Sequence, residues 1–291
     1  MQGAPGLFQA LRFPCRLRSL ARSALPASRS CFASTWTPRG PCSLGLRLHI
    51  RRFYFISRFS SMFYSPSLPA IAVLPRAPRN GSPVPWLTSL YHKAYAGPYG
   101  NRGYPGNCSG ELIKDLLRYF KPKRVLDPMT GSGTCADVCR ELGIECVSFD
   151  IRQGRDACDP ASYEGIGQFD FVWLHPPYWR QKKYTDDPRD LSACSTLSGF
   201  LNRYHLLLLR CESVLRKGGH MAILMGDYAD HEDGFVPLIF HTQRLCFAMG
   251  LKQNDTQIIR FSHGASSSKK SYRSSFIPGL HDVCTIMEKS Q

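Results

Sequence analysis

The residues with the clearest chemical potential form the run HPPYW, at the end of an apolar segment (Phe169 to Trp179). Pro176 and Pro177 have no backbone N–H and hold φ near about −65°, so they fix the direction of the carbonyls at this corner. The first proline's carbonyl and the His175 imidazole are acceptors for an amine. Tyr178 offers a flat face on which a base can stack, an interaction worth about 1–3 kcal/mol. The run predicts a site for a planar aromatic amine, and the alternative is a strand terminator with an aromatic cover.

A second run, VLDPMTGSGT (125–134), has the order strand, glycine turn and helix start. Gly131 and Gly133 allow a tight turn and a close approach of the backbone to a ligand. The first N–H groups of the following helix have no partner within the helix, and Ser132 or Thr134 is expected to cap it. The run predicts a cofactor-binding turn, with a surface turn that binds nothing as the alternative.

Carboxylates near this turn distinguish two cofactors. Asp150 follows Gly131 by 19 positions, at the end of the next predicted strand, where a carboxylate accepts hydrogen bonds from ribose hydroxyls. Asp127 at the mouth of the turn would repel the pyrophosphate of NAD but suits the positively charged amino-acid end of S-adenosylmethionine. We therefore expect S-adenosylmethionine. Asp156 is a candidate acceptor for the adenine amino group, and its alternative is a solvated loop acid.

Strand-like and helix-like segments alternate from about residue 108. The predicted strands are RVLDP, ECVSFD, FDFVWL, HMAILMGD, DTQIIRF and HDVCTIME. The predicted helices are SGELIKDLLRYF with Ser109 as N-cap, TCADVCREL ended by Gly143, FLNRYHLLLLRCESVL closed by Gly218 and Gly219, and VPLIFHTQRLCFAM ended by Gly250. This alternation predicts an α/β fold with a doubly wound, mostly parallel sheet, whose ligands bind at the carboxyl ends of the strands.

Together, the DPxxGSGT turn and the HPPYW corner resemble the DNA amino-methyltransferases that modify cytosine N4 or adenine N6. The resemblance covers roughly residues 104–288 and implies a Rossmann-like methyltransferase that takes a flipped-out base into its pocket. It implies catalytic roles for His175, Pro176, Pro177 and Tyr178. It implies S-adenosylmethionine binding by Tyr104, Ser109, Asp127, Pro128, Gly131, Gly133, Thr134, Asp150 and Asp156.

His175 departs from the family pattern, which usually has Asp, Asn or Ser at this position. A neutral imidazole nitrogen accepts a hydrogen bond from the amine, whereas an imidazolium does not. If His175 acts in this way, activity falls as the pH drops through its pKa, and a rate profile that is flat from pH 5 to 8 contradicts the role.

Two basic segments are expected to contact nucleic acid. RQKKYTDDPRD (180–190) follows the corner, and RFSHGASSSKKSYRSSF (260–276) lies near the C-terminus, where a solvated mobile loop is the alternative. The expected substrate contacts are Trp179, Arg180, Lys182, Lys183, Lys269, Lys270 and Arg273. DNA is the expected partner, together with a cognate restriction endonuclease. RNA bases, a protein glutamine amide and a binding-only pseudoenzyme are the rival hypotheses.

The net charge of +15 is concentrated in the first part of the chain. Residues 1–110 carry 14 basic side chains and no acidic one, and the remainder is nearly neutral, so total charge is no argument for nucleic-acid binding. Residues 1–61 fit a disordered basic leader, an organelle transit peptide, or sequence upstream of a true start at Met62. Residues 62–107 are expected to be an ordered lead-in, and residues 108–291 the catalytic domain.

The twelve cysteines are irregularly spaced and include no CxxC pair, so a disulfide framework is not predicted. Cys135 and Cys139 have helical spacing without companion ligands nearby, and we expect buried free thiols and no metal. A reducing, bacterial-type cytoplasm follows from this, with import by residues 1–61 as the alternative. No run of 18 apolar residues exists, so no membrane contact is expected.

Overall fold

The computed structural model describes residues 78–93, 95–230, 232–261, 277 and 279–290. The strands are β1 (Leu90–His92), β2 (Arg124–Asp127), β3 (Glu145–Ser148), β4 (Phe169–Leu174), β5 (Leu215–Met225), β6 (Tyr228–Asp230), β7 (Gly234–Val236), β8 (Ile258–Phe261) and β9 (His281–Glu288). The helices are α1 (Gly110–Phe120), α2 (Thr134–Leu142), α3 (Leu197–Ser213) and α4 (Leu238–Ala248).

Seven strands form one mixed sheet in the order β1-β8-β9-β5-β4-β2-β3, and β6 pairs with β7. The strands β3, β2, β4 and β5 are parallel neighbours. Strand β9 runs antiparallel to both β5 and β8. The prediction of a doubly wound, mostly parallel α/β sheet is therefore confirmed. Its parallel half directs the ends of β2 and β4, and with them both sequence motifs, toward one edge.

Helices cover both faces of the sheet because each has an apolar side. Leu112 of α1 and Val138 of α2 belong to the core on one face. Tyr204 of α3 and Cys246 of α4 belong to the core on the other. All four side chains are fully buried. Burial of one large aliphatic side chain is worth about 1.5–3 kcal/mol, so the two cores hold the strand ends in fixed positions.

The ends of the predicted helices are only partly correct. Helix α2 spans the predicted residues and ends at Gly143, whose φ of 66° is left-handed. Helix α3 instead ends at Ser213, so Gly218 and Gly219 do not close it but lie inside β5. The register between β4 and β5 shifts there, and Gly218 has a φ of 72°. The glycine pair therefore shapes an irregularity of the strand.

The predicted N-cap position is correct for α1 and wrong for α2, and neither helix has a capping hydrogen bond from a side chain. Ser109 occupies the N-cap position of α1, but its hydroxyl donates to the carbonyl of Ala96 at 3.3 Å. Gly133 is the N-cap of α2 and has no side chain to offer. The hydroxyls of Ser132 and Thr134 contact each other at 2.9 Å. The first N–H groups of α2 are therefore not capped by a side chain.

The lead-in contributes a strand that was not predicted. Strand β1 pairs in parallel with β8 at the edge of the sheet. The Tyr91 hydroxyl and the Trp86 indole each donate to Asp115 of α1 at 2.9 Å. Residues 78–93 and 95–107 are therefore part of the folded domain, whereas 1–77 lie outside the described residues. Within the described part of the chain, every helix is too short or too polar to traverse a lipid bilayer.

Candidate active site

A cleft lies where the carboxyl ends of β2 and β4 meet. It encloses about 640 Å³ of empty space, part of which is continuous with solvent. The glycine turn, the HPPYW corner, the lead-in and the 180–190 segment all contribute to its wall. Its lining residues include Asp127, Gly131, Ser132, Thr134, Asp150, His175, Pro177, Tyr104, Gly106, Cys108, Tyr184 and Asp190. Because parallel strands end at the same edge of a sheet, the two motifs meet as the sequence predicts.

The side-chain carboxylate of Asp150 stabilises the glycine turn through hydrogen bonds from backbone N–H groups. Gly131 and Gly133 have φ values of 49° and 86°, a region that glycine enters without strain. The Gly131 N–H donates to Asp150 Oδ2 at 3.0 Å, and the Arg152 N–H donates to Asp150 Oδ1 at 3.0 Å. Asp150 lies two residues beyond the end of β3 rather than within it. The structure thus assigns Asp150 a role in shaping the turn, and its contact with a ribose stays a prediction.

Asp127 is a buried carboxyl group on the wall of this cleft. It is 2% exposed, and the Met129 N–H donates to its Oδ1 at 3.3 Å. Burial raises the pKa of Asp127 well above its ordinary value. Among the described residues, no lysine or arginine forms an ion pair with it. A cationic ligand in the cleft would supply the missing partner and favour the ionised carboxylate.

Two tyrosines form an aromatic wall opposite the turn. The rings of Tyr104 and Tyr184 stack with centroids 5.9 Å apart, and the Arg152 guanidinium lies 4.7 Å from the Tyr104 centroid. Burial raises the pKa of Tyr184 to about 12. Sequence reasoning identified Tyr104 but missed Tyr184 and Arg152. The only signals were a tyrosine within the basic 180–190 segment and an arginine two positions after Asp150.

The HPPYW corner divides between the cleft and the interior. His175 and Pro177 line the cleft, whereas Pro176 does not, and both prolines are buried. Tyr178 is not part of the lining, because its ring packs against Gly226 at the end of β5. The His175 Nε2 atom lies 3.3 Å from the Tyr178 hydroxyl. The expectation that the Tyr178 ring forms the wall beside Gly131 is therefore not met, although Tyr178 contacts a residue that does line the cleft.

The Tyr178 hydroxyl is also tied to a buried ion pair. It donates to Asp282 Oδ2 at 3.5 Å, a long hydrogen bond. Asp282 accepts a hydrogen bond of 2.8 Å from the Arg260 Nε–H, and both residues are almost fully buried. Burial raises the pKa of Tyr178, so its hydroxyl stays protonated. Strands β8 and β9 thereby position the tyrosine that contacts His175.

One of the predicted substrate contacts, Trp179, is wrong, and a second, Arg180, is engaged in ion pairs and stays a prediction. Trp179 is 1% exposed, and its indole N–H donates to the Cys194 carbonyl at 2.8 Å, so it is a core residue. Its φ of 50° is left-handed, and its indole lies in the interior although Lys182 and Lys183 just beyond it are exposed. Arg180 pairs with Glu232 at 3.0 Å and Asp233 at 2.8 Å, so its guanidinium is engaged with carboxylates rather than presented to a phosphate.

Of the other five predicted basic contacts, two are exposed and three lie outside the described residues. Lys182 and Lys183 are exposed, and Lys183 pairs with the exposed Asp186 at 2.6 Å. An exposed pair of this kind is worth about 0–1 kcal/mol, so a phosphate can displace it at little cost. The other three, Lys269, Lys270 and Arg273, lie outside the described residues.

Some of the predicted cofactor residues lie away from the cleft. Ser109 is not among its lining residues and is committed to Ala96. Pro128 and Asp156 line a smaller adjoining pocket of about 300 Å³, which shares Met129, Asp150, Ile151 and Asp190 with the cleft. Asp156 is 7% exposed and accepts a hydrogen bond from Arg203 at 2.8 Å. The alternative of a solvated loop acid is therefore wrong for Asp156.

Three cysteine thiols lie together beside the glycine turn. The sulfurs of Cys135, Cys139 and Cys146 all lie within 4.8 Å of one another. Hydrogen bonds from the other two thiols lower the pKa of Cys139. The prediction that Cys135 and Cys139 are buried free thiols is confirmed, but the expectation that they have no companion is wrong. Cys146 was missed because it lies on β3, beyond the end of the helix.

Comparison with known proteins gives only distant structural relatives. No protein-family model and no curated protein matches the sequence. TrmN from Thermus thermophilus shares 17% identity over 62% of this chain and 49% of its own, with a TM-score of 0.37. TTHA0409 from the same organism, proposed to be a DNA modification methylase and solved with S-adenosyl-L-methionine, shares 16% over 58% and 56%, with a TM-score of 0.34. This chain spans about half the length of these two proteins.

A third similar structure is a Burkholderia thailandensis 1,6-didemethyltoxoflavin-N1-methyltransferase bound to S-adenosylhomocysteine. It shares 18% identity over 62% of this chain and 78% of its own, with a TM-score of 0.36. At such identities and scores these structures say nothing about the substrate of this chain.

Proposed function

We propose that this chain is an S-adenosylmethionine-dependent DNA methyltransferase that modifies an exocyclic amino group, cytosine N4 or adenine N6. One observation carries the proposal: Asp127 and Gly131 of the glycine turn share a single cleft with His175 and Pro177 of the corner. A cofactor site and an acceptor at the corner are both required for methyl transfer to an amine.

The cleft suits S-adenosylmethionine because its polar groups match both ends of that molecule. Asp127 is buried without a cationic partner among the described residues and suits the ammonium group of the amino-acid end. Asp150, which accepts a hydrogen bond from the Gly131 N–H, suits the ribose hydroxyls. When bound, S-adenosylmethionine supplies a methyl group on a positively charged sulfur. A dinucleotide is disfavoured because its pyrophosphate would face the carboxylate of Asp127.

The corner suits an amine because it offers an acceptor in a fixed direction. The Tyr178 hydroxyl donates to Asp282, so its oxygen is free to accept the Nε2–H of His175. This order of hydrogen bonds favours the tautomer in which Nδ1 of His175 keeps its lone pair. We assign Nδ1 as the acceptor that draws the amine toward tetrahedral geometry; the predicted role of the Pro176 carbonyl is not supported, because Pro176 does not line the cleft. The amine loses one proton on methylation, and Nδ1 is the atom that we expect to receive it.

DNA is favoured as the substrate by the similarity of HPPYW to the motif of the DNA amino-methyltransferases and by the exposed Lys182 and Lys183 after the corner. These lysines provide a sequence-independent contact to phosphate next to the cleft. The buried Trp179 adds nothing to this surface, and Arg180 contributes only if phosphate replaces its carboxylate partners Glu232 and Asp233.

The deciding experiment is incubation of the full chain with methyl-labelled S-adenosylmethionine and, separately, duplex DNA, RNA or protein. Digested DNA is expected to contain labelled N4-methylcytosine or N6-methyladenine by mass analysis. Label found only in RNA or in glutamine would overturn the DNA assignment. Cofactor binding in calorimetry without any transfer would overturn the enzymatic assignment. His175→Ala should abolish the label, while His205→Ala, on α3, serves as the matched control.

A further inference from the structure

We infer that Cys135, Cys139 and Cys146 form a binding site for one thiophilic d10 metal ion, zinc or copper(I), between α2 and β3. This proposal does not depend on the proposed methyl transfer, although Cys135 also lines the cleft.

The geometry of the cluster needs little adjustment to hold an ion. Residues at i and i+4 lie on one face of a helix, so Cys135 and Cys139 project together from α2. Cys146 reaches them from β3, which is the edge strand beside β2. Around one ion with metal–sulfur bonds of about 2.3 Å, three sulfurs would be about 3.8–4.0 Å apart. The three sulfurs already lie within 4.8 Å of one another.

The chemistry of the donor set selects the class of ion. Thiolates are soft ligands that favour zinc and copper(I), whereas magnesium and calcium prefer oxygen. Three sulfurs are sufficient for a trigonal copper(I) site, and a zinc site would take a fourth ligand from solvent. If these positions served only to pack the core, any small apolar side chain would be sufficient, and three thiols would not be needed. Among the described residues, no other three His, Cys, Asp or Glu side chains bring their ligand atoms this close together.

The cluster also has a route by which an ion can enter. Cys135 is part of the lining of the cleft, and Cys146 is only partly buried. Cys135 immediately follows Thr134, the first residue of α2. A bound ion would therefore fix the first turn of α2, and with it the glycine turn, against β3.

The test is native mass spectrometry of the full chain in a phosphine reductant, with buffered Zn²⁺ in one arm and buffered Cu(I) in the other. One retained ion per chain is expected in at least one arm. Cys146→Ala is expected to weaken retention by about 100-fold or more, since losing even a residue that supports a ligand costs about 10–100-fold. Cys246→Ala, which removes a buried thiol of α4, is the matched control and should retain the ion.

A second readout separates metal binding from loss of fold. Cd²⁺ bound by thiolates gives an ultraviolet charge-transfer band, and its amplitude should fall by about one third in Cys139→Ser, as expected when one of three ligand thiolates is lost. Circular dichroism of each variant checks that the fold is retained. Retention of no ion in either arm would overturn the site, and so would equal retention by folded Cys146→Ala and the unsubstituted chain.

Discussion

The Nε2 atom of His175 lies 3.3 Å from the hydroxyl oxygen of Tyr178. If that hydroxyl donates to Asp282, its oxygen can accept the Nε2–H of His175, and under the proposed function Nδ1 then accepts from the amine. The histidine can therefore replace the Asp, Asn or Ser that the resembling family carries, provided that it stays neutral.

Replacement of His175 should show whether its imidazole acts as a hydrogen-bond acceptor or only fills space at the corner. His175→Asn keeps an acceptor and should retain measurable methyl transfer, whereas His175→Ala should lower kcat by about 10–100-fold, the equivalent of about 1–3 kcal/mol for a lost buried acceptor. Steady-state rates with labelled cofactor measure both. Full activity of His175→Ala would remove the histidine from the mechanism.

Gly131→Ala should weaken cofactor binding more than it weakens the fold. A Cβ at Gly131 would lie 3.1 Å from the Tyr104 ring, whereas a Cβ at Gly143 would meet nothing within 4 Å. Both glycines are left-handed, so each alanine should lower the free energy of unfolding by about 1–2 kcal/mol. Calorimetry with S-adenosylmethionine should show about 10-fold or greater weakening for Gly131→Ala only. Equal affinities of the two variants would contradict placement of the cofactor at this turn.

The buried carboxyl of Asp127 should make stability depend on pH. Its pKa is raised in the folded protein, so the folded state holds the proton more tightly than the unfolded state. The resulting stability is full below the unfolded pKa of about 3.9 and is lost as the pH rises through the folded pKa. In Asp127→Asn this decline should disappear. Urea unfolding from pH 5 to 8 measures it, and the exposed Glu164→Gln should keep the wild-type slope.

The same carboxyl should couple cofactor binding to proton release. A cationic ligand favours the ionised form of Asp127, so affinity for S-adenosylmethionine should rise with pH until the carboxyl is ionised without ligand. Calorimetry in buffers of different ionisation enthalpy should detect release of up to one proton. In Asp127→Asn both effects should vanish. Binding that does not change between pH 5 and 8 would argue against an ammonium beside Asp127.

Lys182 and Lys183 should contribute to DNA affinity through phosphate contacts. Replacing both with Gln should reduce the slope of log K against log salt by up to about 1.8, since each phosphate contact contributes about 0.9. Lys121 and Lys123 precede β2 at the opposite end of the strands, so the same double replacement there is the matched control. Fluorescence anisotropy with labelled duplex at several salt concentrations measures the slopes. Equal slopes would place the DNA elsewhere.

The sequence was sufficient to predict those parts of the fold and of the site that follow from local patterns of residues. The bounds of α2 followed from its apolar spacing and Gly143, and the meeting of Gly131 with His175 followed from parallel strands that end at one edge. Contacts between distant segments could not be derived in this way. Cys146 joins α2 only through the neighbouring strand, and the Tyr104–Tyr184 stack depends on how two loops fold over the turn.

The sequence also did not predict in which direction the side chains point after the HPPYW corner. Trp179 lies two residues after Pro177 and was expected to contact the substrate, but its side chain is buried in the core and its φ is 50°. Tyr178 was expected on the wall of the cleft, but Asp282 and Gly226 hold it at the end of β5. Hydrophobic periodicity and residue propensity do not predict such turns, because the turns depend on backbone angles outside the regular helix and strand regions.

The segment before α1 contributes strand β1, which covers the edge of β8 and keeps it from pairing with another chain. The backbone of β8 would otherwise be an open edge, with N–H and C=O groups ready to pair with another chain. A protein trimmed to begin at residue 108 would lack this cover, and it would also lack the tyrosine and indole that satisfy Asp115. Such a fragment should self-associate and precipitate at concentrations at which the longer chain stays monodisperse, even though every helix of the sheet's two faces would still be present.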